Sequence, residues 1–531
     1  MRTSLKKHLI LLIIFSMVMA LAVGCAPKAE GPSDEPATID EEPAETPEPS
    51  DDEGEAAEEP DVADLEPYEL TYFMLCNNVS PDADQIVERA NEILKEKINA
   101  TLDLVMLDWG TWDERFNTAM NAGEKIDIAF TADWWGYLDA VANNFFLPLN
   151  DPDDNLLEKY AAQTVKDLGE GFIVGSQING VNYGVPTDKE FAVNGGLVWR
   201  KDLAEKYGFD MQSVNSIEDL EPMLKVIKEN EPNIIPYLVE QGGGNYMIPF
   251  IDFFKGVGVS YDDLEDTEVK WFWDREDRIQ MAKTHHKYYK EGYIHKEAYT
   301  ENNRYNDHLL EGDFFVTQQP LKPMKGKSTE LMSAAGNKFP LDEKEITPYV
   351  AHSLHAAGSM LAIPRTSEDP ARAMMFINLM HVDAELANLF VWGIEGVHHK
   401  VVQEDPKRVA PIEGNTWTQA VLPWTLGNVF NHWLGEHEDP NKHEGFRMTK
   451  EAPAHITLGY RFINTQDYQA EAAAYDNAMS EYSSIMATGA VEDFDGTYQK
   501  MVEAAEAAGI RKIQEAVQAD LNRWLEEQGK K

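Results

Sequence analysis

The chain has 531 residues, of which 93 are acidic and 46 are basic, and its formal net charge is −47. With 43% hydrophobic residues, it is long enough to bury two or more domains' worth of core. The acidity excludes a broad basic surface for nucleic acid and disfavours electrostatic docking on anionic lipid. Two cysteines exclude a disulfide scaffold and a cysteine-rich zinc module.

The first segment has the pattern of an export signal. Residues 1–24 hold three basic residues and no acidic residue, and an apolar run extends from Leu9 to Val23. As a helix this run would reach roughly 22 Å, short of the ~30 Å hydrocarbon core of a bilayer. It ends in Leu21-Ala22-Val23-Gly24-Cys25, which resembles the lipobox of bacterial lipoproteins, with Ala22 where leucine is usual. We expect a lipid on Cys25, and the alternative is an ordinary cleaved signal.

A charged, proline-rich segment follows the signal. Residues 26–66 contain 17 acidic residues and one basic residue, and almost no large apolar residue. Such a segment cannot bury enough surface to offset its chain entropy, which predicts a disordered tether over residues 25–66. Its r.m.s. reach as a coil is roughly 35 Å. A calcium-binding tail is the competing interpretation, but the D-x-D-x-D-G spacing does not occur.

The folded body begins as alternating strands and helices, which favours a parallel sheet covered by helices. Hydrophobic periodicity and capping residues predict three strands with intervening helices. In chain order these elements are a strand over Tyr68–Leu75, a helix over Pro81–Ile98, a strand over Ala100–Leu107, a helix over Trp112–Ala122, a strand over Ile126–Phe130 and a helix around Trp135–Asn143.

Tryptophan and polar residues follow the predicted strands, where ligands bind in open parallel sheets. Asn77 follows the first strand, Trp109 the second, and Asp133-Trp134-Trp135 the third. A tryptophan face beside hydrogen-bonding groups suits a sugar, whose C–H face stacks on the ring while its hydroxyls take polar partners. The alternative is that these rings are ordinary core residues.

A series of motifs occurs in consistent order along the chain. They lie in Val181–Pro186, Gly195–Leu203, Leu220–Glu231, Gly358–Pro364, Pro370–Met380, Trp392–His398, Gly427-Asn428, Leu458–Phe462 and Tyr482–Trp524. Together they resemble the extracellular solute-binding proteins of ABC importers, the maltose-binding-like family. The resemblance covers about residues 67–526, and its tail is similar to the C-terminal domain of a large-lipoprotein subgroup. His399 departs from it, because tyrosine is usual there.

The resemblance implies a type II periplasmic-binding-protein fold, with two α/β lobes, a helical C-terminal region and a ligand cleft that closes by hinge bending. It implies a first lobe of residues 67–188 and 358–425, and a second lobe of residues 189–357 and 426–531. We expect the chain to cross between lobes near 186–192, 354–358 and 416–428.

Ligand contacts are expected from three places in the two lobes. The first lobe is expected to supply Asn77, Trp109, Asp133, Trp134 and Tyr183. The linking segments and the second lobe are expected to supply Glu190, Trp199, Tyr246, Trp271, Gln318 and Gln319. The returning segments are expected to supply Trp392, Glu395, His398, Trp424 and Asn428. Glu395 could equally be a loop residue that faces solvent. Trp271-Phe272-Trp273 alternates as a strand would, with successive rings on opposite faces.

Catalytic motifs are weak in this sequence. Lys325-Gly326-Lys327-Ser328-Thr329 resembles half of a phosphate loop, but Leu321 stands where glycine is required. The stretch from His432 to His443 is rich in histidine, but it lacks the helical spacing of a zinc site. Paired carboxylates of a glycosidase stay open, because carboxylate separation cannot be determined from sequence.

We therefore expect a lipid-anchored receptor for an ABC importer that is not an enzyme. It would bind a small solute, an oligosaccharide by our interpretation, and deliver it to the permease subunits. We expect a monomer without cofactor, metal or nucleic acid, attached by its lipid to the outer face of the cytoplasmic membrane, or periplasmic where an outer membrane exists. The alternatives are an exported carbohydrate-active enzyme and a peptide-binding or adhesin lipoprotein.

Overall fold

A computed structural model describes residues 62–300 and 304–531. The predicted signal, Cys25 and nearly all of the predicted tether lie outside the described residues. The strands are β1 (Tyr68–Cys76), β2 (Ala100–Asp108), β3 (Ile128–Thr131), β4 (Val185–Pro186), β5 (Asn194–Arg200), β6 (Ile235–Leu238), β7 (Phe250–Phe254), β8 (Val257–Ser260), β9 (Lys270–Trp271), β10 (Phe314–Leu321), β11 (Leu341–Glu345), β12 (Met360–Ala362), β13 (His399–Glu404), β14 (Lys407–Pro411) and β15 (Leu434–Gly435).

The helices of the same residues cover both sheets and form the C-terminal region. They are α1 (Ala83–Ile98), α2 (Trp112–Ala122), α3 (Tyr137–Ala142), α4 (Leu156–Tyr160), α5 (Ala162–Gly175), α6 (Lys201–Tyr207), α7 (Glu221–Asn230), α8 (Glu276–Lys290), α9 (Tyr305–Glu311), α10 (Gly326–Ala334), α11 (Ser353–Ala356), α12 (Pro370–Val382), α13 (Ala384–Trp392), α14 (Trp417–Ala420), α15 (Lys442–Lys450), α16 (Gln469–Thr488), α17 (Phe494–Ala507) and α18 (Ile510–Glu527).

The first sheet has the strand order β2-β1-β3-β12-β4. Strands β1, β2 and β3 are parallel, and β12 runs antiparallel to both β3 and β4. One face is covered by α1, α12 and α13, and the other by α2 and α3. Helix α1 buries Ile86, Ala90 and Ile93, the helical spacing that the sequence shows. The predicted strand–helix succession is confirmed in this sheet.

The second sheet has the strand order β11-β5-β10-β6. Strand β5 runs antiparallel to β10 and to β11, whereas β6 is parallel to β10. Its core contains Leu197, Trp199 and Phe315, all buried, together with apolar residues of α6, α7 and α8. The two α/β lobes expected from the sequence are therefore built on separate sheets with separate cores.

Two linking segments join the sheets at the same edge of each. The chain leaves the first sheet at the end of β4, which is parallel to β3, and returns at the start of β12. It enters the second sheet at Asn194, beside the end of β10, and leaves it at the end of β11. The carboxyl ends of the parallel strands in both lobes therefore face the linkers.

A third apolar core joins the C-terminal region, residues 456–531, to a small antiparallel sheet of β7, β8 and β9. Trp271 is fully buried in it and donates a hydrogen bond through Nε1 to the Tyr475 hydroxyl at 2.9 Å. The strand predicted through Trp273 is wrong, because β9 ends at Trp271 and a 3₁₀ turn follows. The side chains still alternate, since Phe272 packs against the second-lobe core.

The expected lobe boundaries stay a prediction. Backbone contacts show what surrounds the third expected crossing, near residues 416–428. The backbone at Asp188 lies beside the backbone at Gly427-Asn428, and the Asp188 amide donates a hydrogen bond to the Gly427 carbonyl at 2.9 Å. Asn431 then donates to the His381 carbonyl of α12. Residues just beyond 426 thus still contact the first lobe.

Among residues 62–300 and 304–531, no single helix is long and apolar enough to cross a membrane. Helices α12 and α13 reach that length and apolar composition only when they are taken together, and the angle between them is 83°.

Candidate functional site

Four tryptophans meet at the carboxyl edge of the first sheet, and we call Trp109, Trp134, Trp135 and Trp424 the tryptophan cluster. The Trp109 ring centroid lies 4.8 Å from that of Trp135, 6.1 Å from that of Trp134 and 6.3 Å from that of Trp424. Trp109 is 37% exposed and Trp134 is 50% exposed. These two large rings are therefore exposed at the linker edge, and their contact with a ligand stays a prediction.

Hydrogen bonds hold three of these rings through their edges. Trp109 Nε1 donates to Asn77 Oδ1 at 3.1 Å, and Trp134 Nε1 donates to the Gly358 carbonyl at 2.7 Å. Trp135 Nε1 donates to the Asp113 carboxylate at the start of α2. Because the N–H groups are used in this way, the ring faces rather than the edges are left for a ligand. Tyr183 is half-buried and packs against the core between the first sheet and helices α2 and α3, as Trp135 and Trp424 do.

Asp133 does not face an open cleft, although it directly precedes Trp134. Its side chain is 3% exposed and pairs with Arg461, whose side chain is 4% exposed, at 2.8 Å. The Asp133 amide also donates to the Ala357 carbonyl at 2.8 Å. Asp133 therefore fixes the loop after β3, which carries Trp134 and Trp135.

The second lobe carries Tyr246 at its linker edge, whereas the expected contacts Gln318 and Gln319 are 2% and 6% exposed. Tyr246 is half-buried, and its hydroxyl donates to Glu240 Oε2 at 3.1 Å. Burial, reinforced by Glu240, raises the pKa of Tyr246, so its hydroxyl stays a hydrogen-bond donor at neutral pH. Gln319 Nε2 donates to the Tyr305 hydroxyl at 2.6 Å, and Gln318 Nε2 donates to the Tyr237 hydroxyl at 2.6 Å.

A close approach fixes the loop that carries Tyr246 against β5. A Cβ atom at Gly195 would lie 1.4 Å from the Tyr246 carbonyl oxygen, so only glycine fits there. This contact places Tyr246 beside the start of β5, next to the first linking segment.

Buried charges line the first linking segment. Lys189 Nζ lies 2.9 Å from Glu190 Oε1, and Lys322 Nζ lies 3.8 Å from the same oxygen. Burial opposes ionisation of Glu190, but the two lysines outweigh it and hold its pKa below the ordinary value. Glu190 is 1% exposed, and its other oxygen, Oε2, has no hydrogen-bond partner among the described residues. Glu190 is therefore a buried carboxylate held by two lysines in the first linking segment.

Several expected contacts lie elsewhere. Trp199 packs in the second-lobe core and Trp271 in the C-terminal core, so their faces cover apolar side chains instead of a ligand. Asn428 accepts a hydrogen bond from the Phe430 amide at 2.9 Å and is 6% exposed. These three residues have structural contacts of their own.

The expected contacts between 392 and 398 form a separate group in the first lobe. Trp392 Nε1 donates to the Trp433 carbonyl at 3.0 Å. His398 is buried, accepts at Nδ1 from the Ile394 amide and lies 3.7 Å from Asp82. Glu395 is exposed and lies 3.9 Å from Lys407, as in the solvent-facing alternative. None of these residues contacts the tryptophan cluster in a ring pair or hydrogen bond described here.

Arg461, Glu240 and Tyr305 were not among the expected site residues. Arg461 joins segments far apart in sequence, whereas Glu240 and Tyr305 bond to residues 6 to 14 positions away. An isolated arginine, glutamate or tyrosine in a polar stretch carries no periodic signal. Trp135 was recognised at the strand end but not included among the ligand contacts.

The histidines from 432 to 443 do not belong to a group of three possible metal ligands in the described residues. In those residues, three side chains come close enough to share a metal ion: His308, Glu311 and Asp313, with ligand atoms within 4.8 Å of one another. His308 Nδ1 lies 2.9 Å from both oxygens of Asp313, which accounts for that contact as a side-chain pair.

Residues 80–383, more than half of the chain, match the model of the bacterial extracellular solute-binding proteins. The chain belongs to this family. Because members of this family are extracellular solute-binding proteins, the prediction that the chain is not an enzyme is confirmed. Residues 456–526 match a domain of unknown function, DUF3502.

Relatives of known name and structure agree with the family. A protein named carbohydrate ABC transporter substrate-binding protein, from Streptococcus pneumoniae serotype 4 (strain ATCC BAA-334 / TIGR4), is 28% identical over 452 residues, 83% of this chain and 88% of that protein. The N-glycan transport solute binding protein NgtS from Streptococcus pneumoniae superposes with a TM-score of 0.75 at 25% identity, covering 87% of this chain and all of that chain. The two-lobed fold is confirmed.

A second NgtS structure, in complex with Man5GlcNAc, superposes with a TM-score of 0.72 at 25% identity, covering 87% of this chain and 99% of that chain. The alginate-binding protein AlgQ2 shares the fold at 16% identity, with a TM-score of 0.56 over 87% of this chain and 99% of that chain.

Proposed function

We propose that this solute-binding protein captures an oligosaccharide between its lobes and delivers it to the permease of an ABC importer. The observation that carries the proposal is the tryptophan cluster at the linker edge of the first lobe. Trp109 and Trp134 of the cluster are exposed, whereas three of its N–H groups are already bonded to protein. Ring faces that stack on C–H groups beside polar partners suit a sugar better than a peptide backbone.

The sugar class that we propose to test first is an N-glycan fragment. The NgtS structures are named for N-glycan transport, and one holds Man5GlcNAc. The exposed Trp109 and Trp134 offer an extended surface rather than one enclosed pocket, which favours several sugar units. Tyr246 and Glu240 of the second lobe would supply hydrogen bonds to hydroxyl groups.

Closure of the two lobes is the proposed mechanism. Separate cores support each lobe, and the linkers join the edges where the candidate groups lie. A ligand that contacts both edges binds the closed state more tightly and shifts the population toward it. The permease would then recognise the closed form.

We further propose that the protein is held outside the cytoplasmic membrane by a lipid on Cys25. The lipobox-like sequence before Cys25 and the acidic segment after it support this anchor and its spacer. Metabolic labelling with a palmitate analogue tests it. Wild type should incorporate label, Cys25→Ala should not, and label on the Cys25→Ala protein would contradict the proposal.

Binding is tested by calorimetric titration of the mature protein with Man5GlcNAc, with product analysis of the same mixtures. We expect saturable binding without sugar cleavage. Trp134→Ala should weaken it by about tenfold or more, because a stacking surface is lost.

The matched control is Trp433→Ala, which removes a half-buried ring that packs on Lys407 outside the cluster. Its affinity should stay within about twofold of wild type. If a panel of oligosaccharides fails to bind, or if Trp134→Ala binds as wild type does, the proposed substrate class or the proposed site is wrong.

A further inference from the structure

Arg461 belongs to the C-terminal region, yet its guanidinium reaches into the first lobe. The neighbours Tyr460 and Phe462 are buried in the C-terminal core. Arg461 itself points away from that core and is 8% exposed. It therefore connects residues 456–531 with the lobe that carries the tryptophan cluster.

The guanidinium holds three separate segments. Nη1 donates to the carbonyls of Gly175 and Gln177, both at 2.7 Å, where α5 ends. Nη2 donates to Asp133 Oδ2 at 2.8 Å and to the Ser353 carbonyl at 3.0 Å. These segments are the turn before β4, the loop after β3 and the linker that returns to β12.

The Asp133 contact leads directly to the cluster. The next residue, Trp134, is bonded through its Nε1 to the Gly358 carbonyl of the same returning linker. Asp133 is bonded through its amide to the Ala357 carbonyl. The loop that presents Trp134 is thus attached to the linker and to Arg461, and Asp133 has Arg461 as the cation that neutralises it.

We propose that Arg461 is a positioning residue for ligand binding, through which the C-terminal region fixes the loop of Trp134. The inference rests on the proposed sugar site. Residues 456–526 would then be part of the binding apparatus, although they supply no ring to the cluster.

Removal of the guanidinium would leave Asp133 as a buried carboxylate without its cation, which is unfavourable. A cavity of about 1220 Å³ lies beside Arg461, bordered by the end of α5, residues 454–463 and α18. The loop of Asp133 would also lose one of its attachments, so Trp134 should lose its fixed orientation.

The test uses the full mature chain and three variants. Arg461→Met removes the charge and all four hydrogen bonds. Arg461→Lys keeps the charge for Asp133 but cannot serve the three carbonyls at once. Asp133→Asn keeps the loop packing but removes the charge pair, and it serves if the methionine variant does not fold.

Two readouts are measured on protein shown to be folded. The first is the dissociation constant for Man5GlcNAc, and the second is the exciton circular dichroism of the coupled indoles together with acrylamide quenching. We expect Arg461→Met and Asp133→Asn to weaken binding by about tenfold, to lower the exciton signal and to increase quenching. Arg461→Lys should recover part of both readouts.

The matched control is Arg372→Met, another buried arginine that donates to carbonyls, those of Glu66 and Asn99, away from the cluster. It should lower stability while affinity and exciton signal stay unchanged. Folded Arg461→Met and Asp133→Asn proteins with wild-type exciton signals and affinity would overturn the inference. If wild type binds no sugar but Arg461→Met still alters the exciton signal, the sugar function fails and the positioning role stands.

Discussion

Glu343 is a buried carboxylate in β11 that accepts a hydrogen bond from Ser328. Its Oε2 accepts from the Ser328 amide, and its Oε1 has no hydrogen-bond partner in the described part of the chain. Burial raises the pKa of Glu343 from 4.5 to about 7. Between these values the folded state binds more protons than the unfolded state, so stability from this group falls as pH rises through that window. Above about pH 7 the folded protein carries the full cost of the buried charge.

Glu343→Gln should therefore stabilise the protein at pH 8 and have little effect at pH 4.5. The pKa difference sets an upper limit of about 3 kcal/mol, and we expect about 1–2 kcal/mol because the amide has polar needs of its own. Urea unfolding at both pH values measures the effect. Glu229→Gln, at an exposed site on α7, is the control and should change neither value. Equal effects of Glu343→Gln at the two pH values would contradict the assignment.

At the scale of elements, the segment that runs beside the first linker depends on Gly427 for its contact with α12. Gly427 has φ +54°, and a Cβ atom there would lie 1.9 Å from the Met380 carbonyl oxygen. Its own carbonyl accepts from the Asp188 amide of the first linker. Gly427→Ala should cost about 3 kcal/mol or more, because strain and a backbone clash add together.

Gly414 provides the matched control for this linker prediction. Its φ is +84°, but nothing lies within 4 Å of a Cβ atom there. Gly414→Ala should cost only about 1–2 kcal/mol, the strain alone. Chemical denaturation compares the two variants, and equal losses would show that the Met380 contact is unimportant.

Local elements were predictable because their signals lie within a few residues. The run of Ile86, Ala90 and Ile93 predicts α1, and the rings at the ends of β2 and β3 predict the cluster. Trp199 and Trp271 are also tryptophans, but they are buried in cores. The residue type alone therefore does not distinguish a packing ring from a stacking ring. Pairs such as Asp133 and Arg461, separated by 328 residues, arise only from the folded topology.

At the scale of the whole molecule, separate cores determine how the protein can move. The first-lobe cores and the second-lobe cores share no residue, and the linkers join them at one edge of each sheet. Hinge bending can then move one lobe relative to the other without repacking these four cores. Each lobe should behave as a rigid body.

Small-angle X-ray scattering tests this motion. Saturating Man5GlcNAc should decrease the radius of gyration of wild type, since a ligand held at both edges favours the closed state. Trp134→Ala, at a sugar concentration that saturates wild type but not the variant, should show a smaller decrease, whereas Trp433→Ala should match wild type. A wild-type radius that does not change on saturation would mean that the sugar binds to one lobe without closing the cleft, and the permease would then have no closed form to recognise.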